Sequence, residues 1–454
     1  MYFDLRHLRR LWIHTTTAAP TYKATGFKPP FINFRSQPSQ IGSSNISSCV
    51  DTHLCLPYCS RVILQSALIC KDAAMKLTSK LPAVGLTIFS EMTQLAIDSG
   101  AINLSQGFPD FEVHPELIEL VGHHMRRGDN QYAPMQGVVL LRERIAAKVS
   151  ELYGAVYDPA SEITITSGAT EALFAAISAV VNRGDEVIIF EPAFDSYVPV
   201  VELCGGIPVF IQLQFPDYTV DWDRVQAAVS EKTRLIILNF PHNPTGAVLS
   251  RADLSRLAQI VDGSGVVIVS DEVYEHIVFD GHPHLGLAAD PELAARSFVI
   301  SSFGKTYHAT GWKLGYCLAP QPLSNEFQKI HQYLTFASNT PMQHALAEFI
   351  QKEEIYLQLS EFYQKKRDLF QAFIKQSRFR VLPCGGTYFQ MLDYSQITDE
   401  PDLDFARRLT VDHGVAAIPP SVFYHRRNDH KVLRFCFAKR DETLKEAARK
   451  LCDV

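Results

Sequence analysis

Between residues 162 and 318 the sequence alternates short runs rich in valine and isoleucine with longer stretches of helical period. That alternation restricts the chain to an α/β architecture built on a mostly parallel sheet. Glu162-Ile-Thr-Ile-Thr reads as a strand, followed by a helix over 169–181. Glu186-Val-Ile-Ile-Phe, Arg234-Leu-Ile-Ile-Leu-Asn, Val266-Val-Ile-Val-Ser, the run 297–301 and Leu314-Gly-Tyr-Cys-Leu read as further strands. From about Asn325 the period turns helical, over 327–334, 343–351 and 355–376, before strands near 387–392 and 432–437. A chain of 454 residues exceeds what one simple core accommodates. The expected organisation is a large sheet domain over 120–330 and a smaller α+β domain. The smaller one draws on 331–454 and the segment 76–119.

The first 75 residues have a different character. From Met1 to Val50 there is one acidic residue, Asp4, against Arg6, Arg9, Arg10, Lys23, Lys28 and Arg35, amid abundant Ser, Thr and Pro. That composition fits a disordered extension, a start assigned upstream of Met75, or an organelle transit peptide. Cys49, Cys55, Cys59 and Cys70 with His53 lack the matched half-site of a zinc cluster, so no metal is expected. The remaining five of nine cysteines read as reduced thiols, which favours a cytoplasmic compartment, with an organelle as the alternative. The net charge of −6 argues against a nucleic-acid surface, and no apolar run reaches the roughly 18–20 residues that span a bilayer.

Polar residues gather where the predicted strands end, which is where open α/β sheets bind ligands. Ser167-Gly-Ala-Thr opens a helix, presenting free N–H groups to an anion or acting as a plain cap. Asn243 lies in the turn Asn-Pro-Thr-Gly. Asp271 follows an apolar strand, where a carboxylate needs a partner or caps a helical turn at Val273-Tyr-Glu-His. Gly304-Lys305-Thr306 resembles the end of a P-loop, but the required upstream glycine is Val299. Lys305 therefore needs another explanation than phosphate binding.

Ser-Phe-Gly-Lys-Thr-Tyr (302–307), Gly-Trp-Lys-Leu-Gly-Tyr (311–316), Asn-Pro-Thr-Gly (243–246) and Ser-Asp-Glu-Val-Tyr (270–274) together resemble the class I/II aminotransferases, over about 81–451. These are pyridoxal-phosphate (PLP) enzymes of fold type I. Asn103-Leu-Ser-Gln-Gly-Phe-Pro-Asp-Phe and Glu191-Pro-Ala-Phe-Asp-Ser-Tyr resemble the kynurenine/glutamine transaminase branch. Gly168-Ala-Thr-Glu-Ala-Leu and Phe336-Ala-Ser-Asn-Thr-Pro look most like its bacterial methionine aminotransferases.

The resemblance implies the three-layer fold of that family, PLP as cofactor, and ping-pong transfer of an amino group from methionine or a bulky or aromatic amino acid to a 2-oxo acid. It implies that Lys305 bonds covalently to the cofactor and shuttles a proton, and that Asp271 pairs with the pyridine nitrogen. Tyr274 and Asn243 would bond its phenolic oxygen, Phe194 would stack on its ring, and Ser302, Lys313, Ala169 and Thr170 would hold its phosphate. Where many relatives have arginine, Lys313 keeps the charge but loses the bidentate fork. Arg434 would clamp the substrate carboxylate, with Gly107 nearby. Phe194, Phe336, Phe389 and Phe423 would give the pocket its apolar character. Tyr132 and Phe336 would reach the active site of a second subunit in a homodimer. A PLP-dependent β-lyase and a non-catalytic PLP-binding regulator stay open as other readings.

Overall fold

The structure, a computed structural model, describes residues 77–454, so the expectations for residues 1–75 lie outside the described residues. In chain order the first strands are β1 (Ile102–Asn103), β2 (Ile163–Thr166), β3 (Glu186–Glu191), β4 (Ile207–Gln212), β5 (Thr233–Asn239) and β6 (Val267–Asp271). They are followed by β7 (Ser297–Ser302), β8 (Gly315–Leu318), β9 (Arg380–Val381), β10 (Phe389–Asp393), β11 (Val415–Ala416) and β12 (Val432–Cys436). One seven-stranded sheet has the order β2-β8-β7-β6-β5-β3-β4. It is parallel throughout except for β8, which runs antiparallel to both of its neighbours.

The central strands read as unbroken apolar runs because both faces of the sheet are covered. The pleat sends alternate residues to opposite sides. Ile188, Ile236, Leu238 and Ile268 join one core with residues of the helices Val139–Tyr153 and Arg251–Val261. Val187, Ile189, Leu235, Ile237 and Val269 join another, under the helix Ala169–Val180. A third core packs Met92, Leu104, Phe405 and Leu444 around β10 and β12, members of a three-stranded antiparallel sheet.

Register decides where the site falls. Asn239 pairs with Asp271, Asp271 with Ile300, Ser302 with Gly315, and Gly315 with Thr166. The C-terminal ends of β5, β6, β7 and β2 therefore share one edge of the sheet, and antiparallel β8 begins at that edge.

The structure departs from the sequence reading in particular places. β4 was not anticipated; it carries Pro208 and occupies the sheet edge, the position where a strand tolerates proline. Residues 355–376 form two helices, Glu353–Leu357 and Leu359–Ile374, rather than one. The helix expected over 327–334 begins earlier, at Gln321, with a proline in its first turn. Val273–His276 makes successive turns and no helix, so Asp271 is not a helix cap.

Candidate active site

The shared sheet edge opens into a cavity of about 440 Å³. Gly107, Ala169, Thr170, Phe194, Asn243, Asp271, Tyr274, Ser302, Lys305, Lys313 and Arg434 all line it. The sequence reading named every one of these. Phe389 lines the cavity too, but Phe423 does not: it is buried behind Phe89, with ring centroids 5.8 Å apart. Tyr132 and Phe336 lie outside as well. They are 82% and 54% exposed and meet each other edge-on at 5.3 Å.

Lys305 sits on the single helical turn Phe303–Thr306 that follows β7, so the strand end aims it into the cavity. Its Nζ donates to the Tyr388 hydroxyl at 2.8 Å and to the Gly107 carbonyl at 3.2 Å. Burial, with repulsion from Arg434 adding to it, pushes the amine down to about 8. At pH 8 about half of such amines are neutral, against about one in 300 for an ordinary lysine. A nucleophile and base near neutral pH needs that state.

Asp271 ends β6 and is buried. Its Oδ2 accepts from the Tyr197 hydroxyl at 2.7 Å. Among the described residues no cationic group lies within salt-bridge distance of it. Burial therefore pushes the carboxyl up to about 6, against the lowering effect of the Tyr197 hydrogen bond. A buried carboxylate without a cation suits a protonated ring nitrogen. Tyr274, also buried, sits edge-on to Tyr388 and Phe389.

Arg434 lies in β12 and is 1% exposed, not the surface arginine that a strand-edge position suggests. Its Nη1 donates to Asn243 Oδ1 and its Nη2 to the Ser105 carbonyl, each at 2.7 Å. The guanidinium carbon lies 3.9 Å from the Phe389 ring centre, and Nε has no partner among the described residues. No carboxylate pairs with Arg434 among the described residues, and burial pushes it down to about 10. Burying an unpaired cation costs several kcal/mol. The vacant Nε and the missing counter-charge both call for an anion from outside the chain.

At the other side of the cavity, Gly168 (φ 82°) precedes the helix Ala169–Val180 and no side chain caps that end. The helix N-terminus faces the cavity through Ala169 and Thr170, with Ser302 and Lys313 beside it. The φ of 82° is what calls for glycine at 168, and the Lys313 amine packs beside it, 3.5 Å from where a Cβ would stand. A helix N-terminus with a lysine and a hydroxyl is a ready anion cradle. The chain's own residues thus supply an amine, a buried carboxylate and an anion cradle around one cavity, a set that fits PLP.

A family model described as "Aminotransferase class I and II" matches residues 99–451. The chain is a class I/II aminotransferase. This aminotransferase is 52% identical over 374 residues to the methionine aminotransferase of Escherichia coli, covering 82% of this chain and 97% of that protein. The kynurenine–oxoglutarate transaminase of Dictyostelium discoideum is 36% identical over 404 residues, covering 80% and 93% respectively. The crystal structure of E. coli YbdL, described as having a methionine aminotransferase function, superposes with a TM-score of 0.82 at 51% identity. That match covers 84% of this chain and all of the other. The aminotransferase uses pyridoxal phosphate and acts on amino and 2-oxo acids, as its family does. No helix among the described residues is long and apolar enough to cross a membrane, and none of their His, Cys, Asp and Glu clusters could hold a metal ion.

Besides lining residues such as Phe89 and Phe108, three residues that position the site's polar groups escaped the sequence reading. Asn239 accepts from the Asn243 backbone N–H at 3.0 Å and donates to the Asp271 carbonyl at 3.1 Å, tying the two loops together. Tyr197 holds Asp271, and Tyr388 holds Lys305. The one available signal was Asn239, a polar residue closing the apolar run Leu-Ile-Ile-Leu.

Proposed function

We propose that this aminotransferase takes its amino group from methionine and other amino acids with long apolar or aromatic side chains, kynurenine and glutamine among the candidates. The observation carrying this reading is the charge inventory of the cavity. Among the described residues, its only cationic lining residues are Lys305, Lys313 and Arg434. With Lys313 at the phosphate cradle and Arg434 taking the α-carboxylate, no arginine or lysine is left for a second carboxylate. Phe89, Phe108, Phe194 and Phe389 line the cavity and favour an apolar side chain. The named activities of the E. coli and Dictyostelium relatives point the same way.

Pyridoxal phosphate, when bound, supplies the electrophilic carbon and the electron sink. Asp271 holds the ring nitrogen protonated, and Phe194 covers the ring face. Asn243 commits its Oδ1 to Arg434, which leaves its Nδ2 free to donate, with Tyr274, to the phenolic oxygen. Ser302, Lys313 and the Ala169-Thr170 N–H groups hold the phosphate. Arg434 orients the substrate through its α-carboxylate. Lys305 holds the cofactor between turnovers and, once free, moves a proton to and from the substrate Cα.

A panel of amino donors with a common oxo acid tests this reading. Methionine and phenylalanine should exceed aspartate and glutamate in kcat/KM by at least about tenfold, as burying an apolar side chain contributes ~1.5–3 kcal/mol. Aspartate turned over as well as methionine would overturn it.

The exposed Tyr132 and Phe336, with Tyr333 and Leu334 also exposed nearby in sequence, support a homodimer in which these aromatics complete the partner's site. Light scattering of the purified chain should give twice the monomer mass; a monomer at working concentration would exclude shared sites. The free cysteines Cys204, Cys317, Cys384, Cys436 and Cys452 support a reducing, cytoplasmic compartment.

A further inference from the structure

Lys305, Tyr388 and Gly107 form a closed triangle. Lys305 Nζ lies 2.8 Å from the Tyr388 hydroxyl and 3.2 Å from the Gly107 carbonyl, and the hydroxyl lies 2.6 Å from that same carbonyl. The proton positions follow from what each group can do. The Gly107 carbonyl only accepts, so the single hydroxyl proton of Tyr388 is committed to it. Toward Lys305 the tyrosine oxygen is then an acceptor, and both contacts of Nζ are donations. A neutral amine has two N–H groups and one lone pair. Here both N–H groups are taken by Tyr388 and Gly107.

Tyr388 is fully buried and does not line the cavity, whereas Lys305 does and Gly107 forms part of the same wall. The remaining position on Nζ therefore points away from this wall and into the cavity. An unanchored lysine amine rotates freely about its last bond and spends much of its time with the lone pair misdirected. Proton transfer needs the donor and acceptor aligned.

We propose that Tyr388 is a positioning residue for Lys305: during each turnover, when the amine is free, Tyr388 and the Gly107 carbonyl bind two of its hydrogens and turn its third position toward the substrate Cα. The inference rests on Lys305 being the proton carrier of the proposed reaction. The proton balance is simple. The lone pair takes the Cα proton, an N–H bond forms as the Cα–H bond breaks, and the cofactor holds the electron pair left behind. The ammonium then has its third N–H in the cavity, and that proton is the one returned. Gly107 suits this contact because any side chain there would collide with Phe389, whose ring lies 2.6 Å from the position of a Cβ.

Tyr388→Phe in the holoenzyme is the test. The ring keeps its neighbours Tyr274, Tyr363 and Phe389 and loses only the hydroxyl. The expected result is a fall in kcat for methionine of about 10–100-fold with KM within about twofold. The isotope effect with α-deuterated methionine should rise and cofactor affinity should hold. A second readout needs no turnover: competitive labelling of the apoprotein with an acylating reagent, followed by peptide mass spectrometry of Lys305. Losing an acceptor destabilises the ammonium, so the labelling profile should move to lower pH by about one unit. A variant with 3-fluorotyrosine at 388, packed identically but with a weaker acceptor oxygen, should move both quantities in the same direction by less. Unchanged kcat with an unshifted labelling profile would overturn the proposal. Full turnover by Lys305→Ala would instead overturn Lys305 as the proton carrier, so the two failures are distinguishable.

Discussion

Lys305→Ala is expected to lower transamination by about 10⁴-fold or more, because the substitution removes both the covalent hold on the cofactor and the proton carrier. The cavity contains no substitute. Lys313 sits beside Gly168 at the anion cradle, and Arg434 is fixed by Asn243 and Ser105. The asymmetry of the loss is informative. The cradle at Ala169, Thr170, Ser302 and Lys313 is untouched, so the variant should still bind the cofactor reversibly and lose only the visible absorption of its covalently held form. The fold should be unaffected, since deleting a desolvated amine relieves a strained charge rather than a packed core. Steady-state kinetics, an absorption spectrum and a melting curve check all three. Turnover within tenfold of the parent enzyme would remove Lys305 from the chemistry.

Arg434→Leu is expected to reduce kcat/KM for methionine by about 10²–10³-fold, as deleting one side of the buried ion pair proposed with the substrate carboxylate would. Cofactor affinity should fall far less than kcat/KM, because Arg434 meets the proposed cofactor contacts only through Asn243, while the anion cradle at Ala169, Thr170, Ser302 and Lys313 lies elsewhere. The decisive comparison uses 3-(methylthio)propylamine, methionine without its carboxylate. The parent enzyme should strongly prefer methionine, and the variant should barely distinguish the two amines. Arg434→Lys retains charge but not the two-pronged geometry, so it should recover a fraction of the preference. If Arg434→Leu still selects carboxylated substrates, the α-carboxylate is held by another group.

How much of this was legible in the sequence depends on the range of the contact involved. Asp271 closes an apolar run, and Lys305 and Asn243 lie within five residues of one, so local pattern placed them at or just past strand ends, and the parallel register then brought those ends together. Arg434 was legible only through resemblance. Its strand is short, and its burial comes from Phe389 and Ile418, neither adjacent in sequence. Tyr197 closes the quoted stretch Glu191-Pro-Ala-Phe-Asp-Ser-Tyr, yet neither it nor Tyr388 carried a local sign of its role, because their partners Asp271 and Lys305 lie 74 and 83 residues away. Phe423 misled for the opposite reason. The resemblance implied it as a pocket residue, but Phe89 packs against it and takes the cavity wall instead. Aromatic composition fixes the character of a core more readily than which ring faces the ligand.

The seating of Arg434 also has a consequence for the timing of synthesis. The contact between Arg434 and Ser105 joins residues 329 positions apart, and it belongs to one of the last strands of the chain. Translation proceeds at about 5–20 residues per second, so Lys305 leaves the ribosome several seconds before Arg434 does. The sheet edge and its amine can assemble in that interval, while the guanidinium proposed to hold the substrate carboxylate has yet to be made. A nascent chain thus possesses its reactive group before it possesses the means to choose among the carbonyl compounds that could react with it.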